Sequence, residues 1–331
     1  MMSLSWKKNL EVLVITIIVL QITTFFISKV VDFISIPEKE VTVNAPADME
    51  DAFSAALKKT DLKNDYKVVI TSDEKADISV GYNKEKDGTY TKFAYSPFVM
   101  AYNDDKDIFK SLKASKIVKK SKYSDDEYNF NMLKLINTVV EGKHLKDLGF
   151  PTEATIFVPA ENSDYWTSFY DFMLITLNDG SYPQDNTEIK KMKSKIEQFL
   201  DSKTVEQVSD FDSQLISTNY FSEGAIYILP EQEACRLSYK AYTSSKDQAR
   251  IFYLTSTVNL NFYVKANTEN GKKVLSKMNS SKFFEKLHLE FYRSEASKEI
   301  FNHDCVKDAR DSYKVVDPYR VQRITVDIKQ Y

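Results

Sequence analysis

The chain has 331 residues, of which 43% are hydrophobic and 13% aromatic, enough to build a sizeable core and to exclude global disorder. A formal net charge of −3, with no basic stripe interleaved with aromatics, argues against nucleic acid as a partner. Only 7 glycines occur, and neither a GxGxxG fingerprint nor a GxxxxGK phosphate loop is present, which sets aside the nucleotide-fingerprint enzymes.

Residues 12–27 read VLVITIIVLQITTFFI and carry no charge. A helix over residues 10–31 reaches about 33 Å at about 1.5 Å per residue, the thickness of a bilayer's hydrocarbon core. A cleaved signal peptide needs a shorter apolar core followed by small residues, whereas Phe25, Phe26 and Ile27 stand there, so a retained anchor is expected. Lys7 and Lys8 precede the span; Asp32, Glu38, Glu40, Asp48, Glu50 and Asp51 follow it, against Lys29 and Lys39. That asymmetry predicts a cytoplasmic N-terminus and a domain outside the cell membrane. Pro37 ends any helix that continues past the bilayer.

Beyond the anchor the elements alternate between strand and helix. Residues 41–44 (VTVN) form a short strand, and Asp48 is placed to cap a helix over 49–59 with Met49, Ala52, Phe53, Ala56 and Leu57 on one face. Strands follow at 66–70, 76–82 and 93–102, the last interrupted at Ser96–Pro97, with a charged turn at 84–88. Helical periodicity marks residues 108–122 loosely and 128–140 strongly. A strand at 154–158 ends at Pro159, where Ser163 and Asp164 are placed to cap an aromatic-rich helix over 165–177. A charged amphipathic helix spans 188–202 and a strand 225–229. A long strand-like run covers 251–264, helices lie near 271–278 and 281–292, and a cleanly alternating strand occupies 321–328. Strands interleaved with helices make this an α/β chain.

The order of certain segments is informative. VTVNAPADMEDAFSAAL, ADISVGY, FAYSPFVMAY, ATIFVPAENSDYWTSFYDFML, FSEGAIYILPE and VLSKMNSSKFFEKLHLEFYRS together resemble the extracytoplasmic solute-binding proteins of ABC-type uptake systems, in particular the molybdate-, phosphate- and sulfate-like group. The resemblance implies a two-lobed, type II periplasmic-binding-protein-like α/β domain after a single N-terminal transmembrane helix. It divides the chain into a cytoplasmic tail and span (residues 1–36), the first part of lobe 1 (37–105), lobe 2 (106–249), and a return to lobe 1 with a C-terminal extension (250–331). It implies a protein that closes two lobes on a ligand without covalent chemistry, needs no cofactor or metal, and serves a membrane permease or sensor. Cys235 and Cys305 would fall in different lobes of such a fold, so two isolated thiols are expected rather than a bridge.

In that fold the ligand sits between the lobes, at loops that lead into helix N-termini. Three loops qualify: Asn44–Ala45 with its continuation to Asp48, Tyr95–Ser96 before Pro97, and residues 160–165 with Ser163, Asp164 and Tyr165; the resemblance adds Glu231 at the end of FSEGAIYILPE. Each has a plainer reading. Ser163 serves equally as an N-cap, Ser96 as an extended residue before proline, and Tyr165 and Trp166 as core aromatics. Asn44–Ala45–Pro46 replaces the small hydroxyl residues of anion-binding members, and Asp48 and Asp164 repel anions, so a small polar organic ligand, a cation or a peptide is expected.

Enzyme chemistry has little to stand on. His303, Asp304 and Cys305 are adjacent, whereas catalytic partners usually converge from separate segments. Paired acids at Asp104–Asp105 and Asp125–Asp126 read as solvated surface, and no HExxH, CxxC or calcium-loop pattern occurs. A surface interaction protein that keeps the fold without a small-molecule ligand stays open as a second reading, and a membrane-anchored enzyme as a third.

Overall fold

The structure is a computed structural model. It describes residues 21, 39–58, 60–82, 89–103, 105–120, 128–181, 183, 185–219, 221, 224–245, 249–280, 283, 293–294 and 314–315. The expected span at 10–31 lies outside the described residues, Gln21 apart, as do the charged turn at 84–88, the strand at 321–328, His303 and Cys305. The helix expected at 281–292 also lies outside them, Phe283 apart. Among the described residues no helix is long and apolar enough to cross a membrane.

The chain opens with β1 (Lys39–Asn44), whose alternation buries Val41 and Val43 completely. It pairs in parallel with β2 (Tyr66–Thr71) and β3 (Ile78–Tyr82). Between β1 and β2 lie α1 (Ala47–Lys58) and the single turn α2 (Leu62–Asp65). In α1 Met49, Ala52, Phe53, Ala56 and Leu57 are buried at helical spacing. The helix starts at Ala47, so Asp48 sits within its first turn rather than capping it, and Met49 N–H donates to Pro46 O at 2.9 Å.

The strand expected to break at Ser96–Pro97 does not break: β4 runs unbroken from Thr91 to Asn103. Phe98 N–H donates to Val258 O at 3.4 Å, which makes the neighbouring pair Pro97–Asn259 one whose N–H would face away from the partner strand. A residue without an N–H costs nothing there.

The second sheet begins inside β4. Residues from Phe98 onward pair antiparallel with β9 (Ala225–Pro230) and β10 (Ala249–Leu254). Around them lie α3 (Lys106–Ala114), β5 (Val118–Lys120), β6 (Tyr128–Phe130), α4 (Met132–Val140), β7 (Thr155–Pro159), α5 (Trp166–Leu177), α6 (Asn186–Leu200), β8 (Val205–Val208), α7 (Phe211–Ser217) and α8 (Glu231–Ser245). Two expected helices are shorter than their periodicity suggested. The one at 108–122 ends at Ala114, because Lys116 takes a left-handed φ of 62° and the chain turns into β5. The one at 128–140 begins only at Met132, where Asn131 accepts from Lys134 N–H at 2.9 Å as its cap. The strand-like run at 251–264 divides into β10, β11 (Ser256–Thr257) and β12 (Asn259–Ala266), and α9 (Glu269–Ser280) follows.

β12 returns to the first sheet and lies antiparallel between β3 and β4. The first sheet therefore reads β2-β1-β3-β12-β4, and the second β8-β7-β9-β4-β10-β6-β5. Both have the same plan: three parallel strands, then an antiparallel strand supplied from across the boundary. The chain crosses twice, inside β4 and between β10 and β12. Two later strands add to this frame, β13 (Arg293–Ser294) beside β4 and β14 (Lys314–Val315) beside β11.

The two cysteines were expected to be isolated thiols. Instead, Cys235, fully buried in α8, is disulfide-bonded; Cys305, the sequence's other cysteine, lies outside the described residues.

Phe98 stands where the two crossings meet. Its ring stacks on Phe172 (5.7 Å, 8°) and meets Phe169 at 6.1 Å, while Thr257 Oγ1 donates to its carbonyl at 3.0 Å. Phe98→Ala is expected to cost about 3–5 kcal/mol of stability, read as a lowered urea midpoint. In the first sheet, just before β3, the Asp77 carboxylate accepts from Thr42 N–H (3.1 Å), Thr42 Oγ1 (3.2 Å) and Thr268 Oγ1. Burial pushes the Asp77 carboxyl up, but the hydrogen bonds from Thr268 and Thr42 outweigh it and hold the group below its ordinary value. A depressed carboxyl stabilises the fold above its unfolded pKa and loses that contribution as pH falls through the folded one. Asp77→Asn is therefore expected to lower the melting temperature at pH 7, and the gap from wild type to narrow as pH drops below about 4.

Candidate functional site

The parallel strands β7 and β9 are neighbours, with Phe157 opposite Tyr227, so the loops after them emerge side by side at the crossing. Pro230, the last residue of β9, pairs with Phe98. α8 then starts at Glu231, against the β4 crossing. Ser96 is 1% exposed, and its hydroxyl accepts from the main-chain N–H of Gln232 at 3.1 Å. Glu231 is fully buried and accepts from Tyr253 OH at 2.6 Å. The structure thus brings Ser96 and Glu231 together, on opposite sides of the point where the lobes join.

Three residues that the sequence reading passed over complete this cluster. Gln232 is 3% exposed, yet neither its Nε2 nor its Oε1 has a hydrogen-bond partner. Asn259, 8% exposed at the start of β12 and opposite Pro97, has an unpartnered Oδ1. Tyr253 supplies the hydroxyl to Glu231. A buried amide left unmatched costs about 1–3 kcal/mol per group, so folded proteins rarely keep one without use. The usable signal in the sequence was polarity in the wrong place: Asn259 and Asn261 interrupt an otherwise apolar run, and Gln232 follows a continuous apolar strand.

The other expected residues divide. Tyr165 is 7% exposed, and its ring meets that of Tyr82 at 6.0 Å, edge to face, joining the end of β3 in lobe 1 to the loop before α5 in lobe 2. Ser163 does not cap α5: the helix starts at Trp166, Tyr165 occupies the cap position without a side-chain bond, and Ser163 Oγ is buried and unpartnered. Asp164 is exposed beside it. Tyr95 pairs with Asn261 and Arg293 along its backbone, and Lys92 Nζ lies 5.0 Å from its ring centre. Asn44 ends β1 opposite Thr71 and Ser79, and Ala45 packs half-buried on the core; among the described residues neither makes a side-chain hydrogen bond.

The acids at the start of α8 have partners within the protein. Glu231 and Glu233 sit in its first turn, where the helix dipole favours carboxylates. Arg236 binds Glu233 through Nε (2.9 Å) and Nη2 (2.6 Å) and reaches Asp212 of α7 at 2.7 Å. The positive end of this helix is thus occupied by the protein's own acids. What remains open at the crossing is neutral: the Gln232 amide and the Asn259 side-chain oxygen. Among the described residues no group of acids, histidines and cysteines is arranged to hold a metal.

Solved structures with this arrangement of strands exist. Iron-bound HitA from Pseudomonas aeruginosa superimposes with a TM-score of 0.51 at 10% identity, covering 85% of this chain and 94% of that one. The sulfate-binding protein SubI from Mycobacterium tuberculosis H37Rv does so with a TM-score of 0.50 at 10% identity, covering 86% and 96%. The fold is that of a two-lobed, type II periplasmic binding protein. No protein-family profile matches the sequence, and no curated protein does.

Tyr253→Phe removes the donor to a buried carboxylate. The expected cost is about 1–3 kcal/mol in chemical denaturation, with the fold kept.

Proposed function

We propose that this chain is a membrane-anchored, extracytoplasmic solute-binding protein whose lobes close on a small polar ligand, neutral or cationic, beside an ABC-type permease or a membrane sensor. The observation that carries the reading is the pair of buried, unpartnered side chains at the crossing, Gln232 and Asn259. A ligand held there takes hydrogen bonds that the fold leaves open. No covalent step is involved; lobe closure is the action.

The ligand class follows from charge. SubI is described as sulfate-binding and HitA as iron-bound. Here the first turn of α8 carries two buried carboxylates, which repel an oxyanion, and the open groups are uncharged. The uncharged apolar segment at 12–27, with lysines before it and acids after it, supports an anchor with the domain outside. The disulfide at Cys235 supports an oxidising compartment.

The test is a thermal-shift screen of the full-length protein in detergent against sugars, amino acids, short peptides, polyamines, sulfate and molybdate. At about one hundred times Kd a ligand adds about 2.7 kcal/mol of stability. A neutral or cationic compound is expected to raise the melting temperature in wild type but not in Gln232→Leu. Silence across the panel, or a shift confined to sulfate or molybdate, overturns the reading.

A further inference from the structure

A cavity lies away from the crossing cluster and shares no residue with it. It has a volume of about 140 Å³. Its walls come from the N-terminus of α4, the C-terminal turn of α5 and the link between β10 and β11. The twelve residues of α5 separate it from the Ser163 loop by about 18 Å.

Part of its lining offers hydrogen-bond donors. Met132 and Leu133 line the cavity as the first two residues of α4, so their main-chain N–H groups have no partner within the helix. The Asn131 side chain is committed to Lys134 N–H, one residue further on. Lys134 itself turns away, its Nζ donating to Ser115 O at 2.5 Å. Thr176 stands opposite: it is 7% exposed, lines the cavity, and its Oγ1 has no hydrogen-bond partner. Two free amides at the positive end of a helix, facing an unused buried hydroxyl, suit a carboxylate.

The rim is the opposite. Asp179 lines the mouth, is exposed, and makes no ion pair among the described residues. A left-handed turn places it there, with φ of 51° at Asp179 and 78° at Gly180. A Cβ at Gly180 would stand 2.4 Å from Ser256 Oγ, and its left-handed φ strains any other residue there. A carboxylate at the mouth suits an ammonium group.

We infer that this cavity is a second binding site, for a small zwitterionic amino acid, with its carboxylate on the Met132 and Leu133 amides and the Thr176 hydroxyl and its ammonium on Asp179. The volume suits a ligand of the size of glycine, alanine or serine. The inference does not rest on the crossing cluster, and its failure leaves that site untouched.

Isothermal titration of the full-length protein in detergent with glycine, L-alanine and L-serine tests it, with acetate and methylammonium as half-ligands. At least one amino acid is expected to bind saturably and better than either half-ligand. Asp179→Asn, which keeps a residue tolerant of left-handed φ, and Thr176→Val, which keeps the shape, are each expected to weaken binding about tenfold or more. Gln232→Leu is expected to leave it unchanged. Three results overturn the proposal: no saturable binding of any of the three, binding undiminished in both cavity variants, or acetate binding as tightly as the amino acids in wild type and in Asp179→Asn.

Discussion

The architecture hangs on one crossing. At Phe98 a strand leaves the first sheet and enters the second, and at Thr257–Val258 a strand comes back. Two hydrogen bonds join them there, Phe98 N–H to Val258 O and Thr257 Oγ1 to Phe98 O, and the Phe169 and Phe172 rings of α5 cover the joint. A strand can pass from one sheet to another only where its backbone groups find partners on both sides of the change. This requirement places Pro97 beside the joint, and it brings the start of α8 against Ser96.

The polar groups around the crossing share a character. Carboxylates are present, yet each is answered: Glu231 by Tyr253, Glu233 by Arg236. The unanswered groups are amides. An anionic ligand group would meet these carboxylates, whereas a neutral donor or acceptor could pair with Gln232 and Asn259. The cavity beside α4 is built the other way round, with free helix amides inside and an acid at the mouth. The molecule therefore offers two chemically different surfaces, set by where its acids stand relative to its helix ends.

Periodicity made most elements legible, because the buried faces of α1, α6 and β1 repeat at the spacings that helix and strand impose. It misjudged places where another force decides. Residues 128–130 continue an apolar helical pattern, but Asn131 caps α4 later and Tyr128 and Asn129 are drawn into a ladder with β5. Pro97 reads as a strand breaker because the sequence does not reveal which way its absent N–H would face. The order of segments pointed to the two-lobed fold, and two of the singled-out residues, Ser96 and Glu231, meet at the crossing. Gln232, Asn259 and Tyr253 were missed because their importance lies in burial without a partner, a property of three dimensions. Ser163 was read as a cap, since a serine before a helix usually is one; here the helix begins three residues later.

The shared strands also govern how the chain can come into being. β12 lies inside the first sheet, between β3 and β4, though it is separated from Tyr82, whose partner is Phe262, by the whole of the second lobe. The second lobe likewise incorporates the latter half of β4. During synthesis, β1, β2 and β3 emerge early but cannot complete their sheet until residues 259–266 have followed. Lobe 1 must wait for lobe 2, so the first part to appear is the last to close, and its unfinished edge at β3 needs protection in the interval.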